Sequence, residues 1–215
     1  PYSILFRGCS FLIIYEAGVL AAMRELSPDI LKSASRIYGS SSGSIIGIAG
    51  LCECDIGKGC AFLFIQSLKR LDVWEFWRIL KNLRCVLEKC LPPNAHELVS
   101  GKLHIVLTRV HDWRAVTVSE FSSREDLIQA VMCSCFIPGY FGFNFNTYHG
   151  VRYVDGELAM WTADFVSRDT ITVSAFAGEY DICPKDGAAA FLTFHFSDCI
   201  LELSKRNLCR LRHLF

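Results

Sequence analysis

The chain has 215 residues, enough to bury a substantial core in one domain, with 22 lysines plus arginines against 22 aspartates plus glutamates. A formal charge of zero excludes the basic field that a nucleic-acid partner would call for. Hydrophobic residues make up 52%, more than a core alone requires, so some apolar surface is expected to meet lipid or a partner.

No apolar run reaches the roughly 18 residues of a spanning helix. The N-terminal stretch is interrupted by Arg7 and Glu16, so neither a secretory signal nor a membrane span is expected, and any membrane contact is peripheral. Eleven cysteines scattered through apolar contexts such as "VMCSCF" point to a reducing compartment. Cys52 and Cys54, like Cys133 and Cys135, are separated by a single residue, which is not the spacing of a structural zinc site. No metal and no cofactor are expected.

In chain order, "YSILFRG" reads as a strand running into a loop, and "YEAGVLAAMREL" as a helix with Ala17, Leu20 and Met23 on one side. "ASRIYG" is a second strand that ends on small residues, and "SIIGIAGLC" is a helix whose Gly43 and Gly47 permit close packing. From Val73 to Cys90, apolar positions at alternating spacings of three and four predict a helix facing the core. Its Trp74, Trp77, Lys81, Arg84 and Lys89 also suit a membrane interface. "KLHIVLTRV" and "AVTVSEF" read as adjoining strands around Asp112, and "SSRE" (Ser122 to Glu125) as a capping box opening the helix "DLIQAVMCSC". "GVRYVDG" and "TITVSAF" are further strands, and Ile200 to Phe215 reads as a basic amphipathic helix. Strands interleaved with helices predict an α/β sandwich around a largely parallel sheet, as a single domain over residues 1–215.

The segment "RIYGSSSGSIIGIAGLC" crowds three serines between Gly39 and Gly43. It fits GxSxG with Ser41 at the centre. A serine displayed on a sharp strand-to-helix turn needs neighbours without side chains two residues before and after it, and the following helix directs its N–H groups at charge formed nearby. A nucleophilic serine needs a base, but the six histidines stand in no suggestive context. The carboxylate that stands out is Asp155 in "VRYVDGE", where an apolar strand ends at Gly156. Asp-Gly is also an ordinary turn signal, so the residues alone leave a serine and a candidate acid.

At this point the chain resembles a patatin-like phospholipase domain of the branch that contains adiponutrin and adipose triglyceride lipase, with features of the epidermal ceramide-transacylating member. The resemblance rests on "RGCSFLIIYEAGV", "RIYGSSSGS", "LPPNAHELVSGKL", "FSSREDLIQAVMCSCFIPGY", "GVRYVDG" and "TITVSAFAGEYDICP". It implies a three-layer α/β/α sandwich and a histidine-free serine–aspartate dyad, with Ser41 as nucleophile and Asp155 as base. The motifs carried over are Gly39-Ser41-Gly43, Asp155-Gly156, and an oxyanion loop at Gly8, Cys9 and Ser10. The implied reaction is hydrolysis or transacylation of long-chain acyl esters of neutral lipids through an acyl-enzyme. The implied partners are the lipid ester, a lipid-droplet or endoplasmic-reticulum surface in the cytoplasm, and an α/β-hydrolase-type coactivator protein. Several features depart from the family pattern, among them "FNFNTY" where the family has "IPP" and "LAMWTADF" where it has an Asn-x-Pro-like stretch. Ser10 and Ile13 stand where the loop has glycine, so a positive φ at either would be strained. Glu157 follows Asp-Gly where a small residue is usual, and is expected to face solvent. These departures favour a competing reading, a catalytically impaired lipid-droplet binding or regulatory protein.

Overall fold

The computed structural model describes residues 1–54, 76–142, 145–186, 193–196 and 199–212. Four strands form a parallel core in the order β3 (Leu103–Arg109), β2 (Arg36–Ser40), β1 (Ser3–Phe6), β7 (Thr170–Val173). β4 (Arg114–Val118) folds back antiparallel on the far edge of β3. β6 (Val151–Val154) pairs antiparallel with the C-terminal end of β3 and carries β5 (Asn146–Tyr148) outside it.

Strand residues alternate between two faces. Ile4, Phe6, Ile37, Leu103, Ile105 and Leu107 enter the main core under α1 (Ile13–Leu26), α3 (Ser42–Cys52), α5 (Ala95–Val99) and α6 (Arg124–Ser134). Leu5, Tyr38 and Val106 face the other way and are covered by Met160, Ala163 and Phe165. These belong to, or follow, the 3-10 segment Gly156–Thr162. The sandwich is therefore asymmetric, with most of the described helices on one side. A two-stranded sheet, β8 (Thr193–Phe196) with β9 (Cys199–Glu202), and the short helices α2 (Ile30–Ser33) and α7 (Lys205–Arg212) complete the described elements.

α4 (Phe76–Cys90) buries Leu83 and Leu87 in the main core, as its apolar spacing predicts. Trp74 lies outside the described residues. Two sequence expectations shift. The cap of α6 is Ser123, whose Oγ accepts the Asp126 N–H at 3.1 Å while Asp126 Oδ2 accepts the Ser122 N–H at 2.8 Å, one residue later than "SSRE" suggests. The tail is not one helix from Ile200, because Ile200 to Glu202 pair in β9 and the helix starts at Lys205.

Both charges that interrupt the N-terminal apolar stretch are buried, Arg7 at 5% and Glu16 at 0% exposure. Gly18, on the exposed side of α1, has nothing within 4 Å of where a Cβ would stand. Gly18→Ala is therefore expected to stabilise the chain by about 0.5–1 kcal/mol, through the lower backbone entropy of alanine in a helix. A rise of a few degrees in melting temperature would register it.

Candidate active site

The sheet register brings two strand ends to one point. β2 runs parallel to β3 and stops with Ser40 opposite Val106. β6 approaches along the same edge from the opposite direction and stops with Val154 opposite Thr108. The next residue of each strand, Ser41 and Asp155, thus arrives at the gap beside Leu107. Ser41 Oγ donates to Asp155 Oδ2 at 2.6 Å across 114 residues of sequence.

Ser41 sits at φ 51°, ψ −126°, the turn between β2 and α3. Such a backbone costs on the order of 1–3 kcal/mol and persists only where its surroundings enforce it. The enforcement is visible. The Ser41 N–H donates to Ser134 Oγ at 2.8 Å, Ser134 Oγ donates in turn to the Val106 carbonyl at 2.7 Å, and Ser44 Oγ donates to the Ser41 carbonyl at 2.6 Å. A side chain at Gly39 would stand 2.5 Å from Ser44 Cα, and one at Gly43 2.2 Å from the Phe6 carbonyl oxygen. The glycines flanking Ser41 are thus excluded from carrying side chains by backbone atoms, as the GxSxG reading anticipates.

Asp155 is held as firmly. Its N–H donates to the Phe136 carbonyl at 2.7 Å, its carbonyl accepts Thr108 Oγ1 at 2.7 Å, and its Oδ1 accepts the Glu157 N–H at 2.9 Å. Gly156 next to it passes so close to β3 that a Cβ would stand 2.1 Å from the Val106 carbonyl oxygen.

Comparison with known proteins identifies the family. The family model described as patatin-like phospholipase matches residues 4–162. The chain belongs to the patatin-like phospholipase family. It is 37% identical to human omega-hydroxyceramide transacylase over 99% of its own length and 41% of that protein's. It is 38% identical to mouse patatin-like phospholipase domain-containing protein 2 (98% and 44% of the two lengths). It is 37% identical to human 1-acylglycerol-3-phosphate O-acyltransferase PNPLA3 (100% and 46%). The chain spans less than half the length of these relatives. Among solved structures, the fold is similar to VipD from Legionella pneumophila at TM-score 0.51 and 15% identity, over 83% of this chain and 51% of that one.

Within this patatin domain, burial pushes the Asp155 carboxyl up to about 7. The Glu157 charge adds to the rise, while the bonds from Ser41 and from the Glu157 N–H oppose it. A carboxylate that accepts a proton near neutrality is matched to general-base work. As a general base, Asp155 would have to be ionised to take the Ser41 proton. Reaction of Ser41 with an electrophile is therefore expected to rise with pH through about 7 and to level off above it, a profile that labelling rates between pH 5 and 9 would show.

The loop after β1 packs directly on the serine turn. A side chain at Gly8 would stand 3.0 Å from Ser41 Cβ. The two serines beside Ser41 bind this loop, Ser40 Oγ accepting the Gly8 N–H at 3.0 Å and Ser42 Oγ the Cys9 N–H at 2.9 Å. That accounts for three serines in a row: the central one meets Asp155, and the outer two clamp the backbone opposite. Ser10 adopts φ 48°, a left-handed conformation costing a non-glycine residue about 1–2 kcal/mol. Ile13 is at φ −48° and carries no such strain.

Glu157 is turned inward onto the loop rather than free in solvent, although its side chain stays 28% exposed. Its Oε1 accepts Arg7 Nε at 2.6 Å, and its Oε2 accepts both the Gly8 N–H at 2.8 Å and Ser40 Oγ. Burial of Arg7 explains this, because a guanidinium withdrawn from water needs an anionic partner. Cys9 of this loop and Glu16 of α1 are both buried, and burial is the main cause that pushes the thiol and the carboxyl up. Ser134, Thr108 and Arg7 were not singled out by sequence reasoning. Ser134 stands inside "CSC", where the cysteines drew attention. Both flanking thiols are buried and pushed up by it, and among the described residues no cluster of three His, Cys, Asp or Glu side chains is arranged to hold a metal.

Proposed function

We propose that the chain is a lipid acyl hydrolase or transacylase in which Ser41 is the nucleophile and Asp155 the general base. The observation that carries this reading is the 2.6 Å bond from Ser41 Oγ to a buried carboxylate poised near neutrality. As Ser41 Oγ attacks the ester carbonyl carbon, its proton passes to Asp155 Oδ2 and the carbonyl oxygen becomes an oxyanion. Collapse expels the alcohol, which takes the proton back from Asp155. The acyl-enzyme then passes its acyl group to water or to a second alcohol. The N-terminus of α3, which Ser41 caps, supplies positive potential near the developing charge.

The substrate class is a long-chain acyl ester of a neutral lipid, a reading supported by relatives whose names include a transacylase and an acyltransferase. We place the protein at the surface of a lipid droplet or the endoplasmic reticulum on the cytoplasmic side, with an α/β-hydrolase-type protein as coactivator. Exposed Ile14 and Leu158 offer apolar contact, and among the described residues no helix is long and apolar enough to cross a membrane. A second reading, a lipid-droplet binding or regulatory protein with weak turnover, draws on the Gly8 N–H being taken up by Glu157.

The test is release of fatty acid from emulsified long-chain acylglycerols, with and without an acceptor alcohol, by wild type and Ser41→Ala. Turnover that falls to background in Ser41→Ala is expected. Binding to the emulsion with no turnover in folded wild type would favour the second reading.

A further inference from the structure

Two consecutive N–H groups of the loop facing Ser41 are turned onto oxygens of the protein itself. The Gly8 N–H is shared between Glu157 Oε2 at 2.8 Å and Ser40 Oγ at 3.0 Å, and the Cys9 N–H is held by Ser42 Oγ at 2.9 Å. The most consequential of these acceptors is the carboxylate. Gly8 lies between it and the nucleophile, since a Cβ there would stand 3.1 Å from Glu157 Oε2 and 3.0 Å from Ser41 Cβ. Arg7 Nε, on a side chain 6% exposed, fixes the other oxygen at 2.6 Å.

We propose that Glu157 is an internal anion that occupies the oxyanion loop and restrains turnover at Ser41. The inference rests on the reading of Ser41 as nucleophile and adds a restraint built into the same site. Its physical basis is twofold. An N–H already donating to a carboxylate is withdrawn from a substrate oxyanion, and one lost donor of this kind slows acyl transfer by about 10²- to 10³-fold. A fixed negative charge against the loop also opposes the second negative charge that forms on the substrate oxygen in the transition state. Ser40 and Ser42 reinforce the arrangement by holding the loop backbone in the orientation that meets Glu157.

The test compares the second-order rate constant for fluorophosphonate labelling in wild type, Glu157→Gly and Glu157→Asp. In this reaction the Ser41 Oγ–phosphorus bond forms as the phosphorus–fluorine bond breaks; fluoride leaves and the hydroxyl proton goes to Asp155. Glu157→Gly removes the carboxylate and leaves the Gly8 N–H only the neutral hydroxyl of Ser40, and it is expected to label at least about tenfold faster, a conservative share of the loss of one donor. It also leaves Arg7 buried without this partner, so its fold is checked by thermal melting. Glu157→Asp keeps a carboxylate for Arg7 on a chain one methylene shorter, drawn back from the Gly8 N–H. It is expected to label faster than wild type and slower than Glu157→Gly, and it decides the matter if Glu157→Gly does not fold. Labelling of folded variants at or below the wild-type rate would overturn the restraint and make Glu157 a brace of the loop, leaving the Ser41–Asp155 reading intact. No labelling of wild type or of any folded variant would overturn both.

Discussion

Asp155→Asn is expected to lower acyl transfer by about 10⁴-fold or more, the scale seen when the base of a nucleophile–base unit is removed, and at the same time to make the fold more stable above pH 7. The first effect follows from geometry. Asparagine can still accept the Ser41 hydroxyl at Oδ1, but it cannot take the proton away as Oγ attacks. The second follows from linkage. The folded carboxyl is pushed up to about 7 from an ordinary value of 3.8, so the folded state binds this proton more tightly than the unfolded chain does. The group's contribution to stability is therefore most favourable below the unfolded value, and it is lost as pH rises to about 7, beyond which the cost is full. At pH 8 that cost is on the order of a few kcal/mol, since each tenfold difference in proton affinity between the folded and unfolded states is worth about 1.4 kcal/mol. Asparagine carries no charge and escapes it. Denaturation of both proteins at pH 8 and at pH 5 would check the sign: the variant is the more stable at pH 8, and the gap narrows at pH 5. A variant less stable at pH 8 would contradict the burial argument.

Gly43→Ala is expected to cost more than about 3 kcal/mol, beyond the usual range for a single methyl, because what it meets cannot move aside. The added carbon would stand 2.2 Å from the Phe6 carbonyl oxygen and 2.6 Å from its carbon, both backbone atoms of the strand at the middle of the parallel sheet. Relief requires α3 to lift from β1, and that displaces Ser41 at its N-terminus from Asp155. Stability and reactivity should therefore fall together, since small misplacements of a reacting group are costly in rate. Chemical denaturation alongside labelling would show both, with Gly18→Ala as the open-space control. A Gly43→Ala protein of wild-type stability would mean that the helix does not lie on the strand as described.

The chemistry most visible in the sequence was the part that constrains local composition. Gly39 and Gly43 must lack side chains, and a strand ending in Asp-Gly writes itself as "YVDG". The helical and strand periods were legible for the same reason, because one face of each element is buried: Leu83 and Leu87 in α4, Ile105 and Leu107 in β3. What could not be read was the long-range pairing of polar groups. Arg7 and Glu157 are 150 residues apart and each looks like an ordinary surface charge until the fold makes them partners. Ser134 is equally silent, a small residue between two cysteines whose hydroxyl proves to hold the backbone of Ser41. The tail misled because Ile200 to Glu202 carry apolar positions compatible with either period, and the pairing with β8 that decides for strand is a tertiary contact.

The measurement that goes most directly to the central claim is peptide mass mapping after fluorophosphonate treatment at pH 8, in wild type and Asp155→Asn. "GSSSGS" offers four serines within five residues, so the position of the adduct is informative. A dyad of Ser41 and Asp155 predicts a single adduct on Ser41 in wild type and none in Asp155→Asn. An adduct on Ser40, Ser42 or Ser44, or one on Ser41 that persists undiminished without the carboxylate, would contradict it.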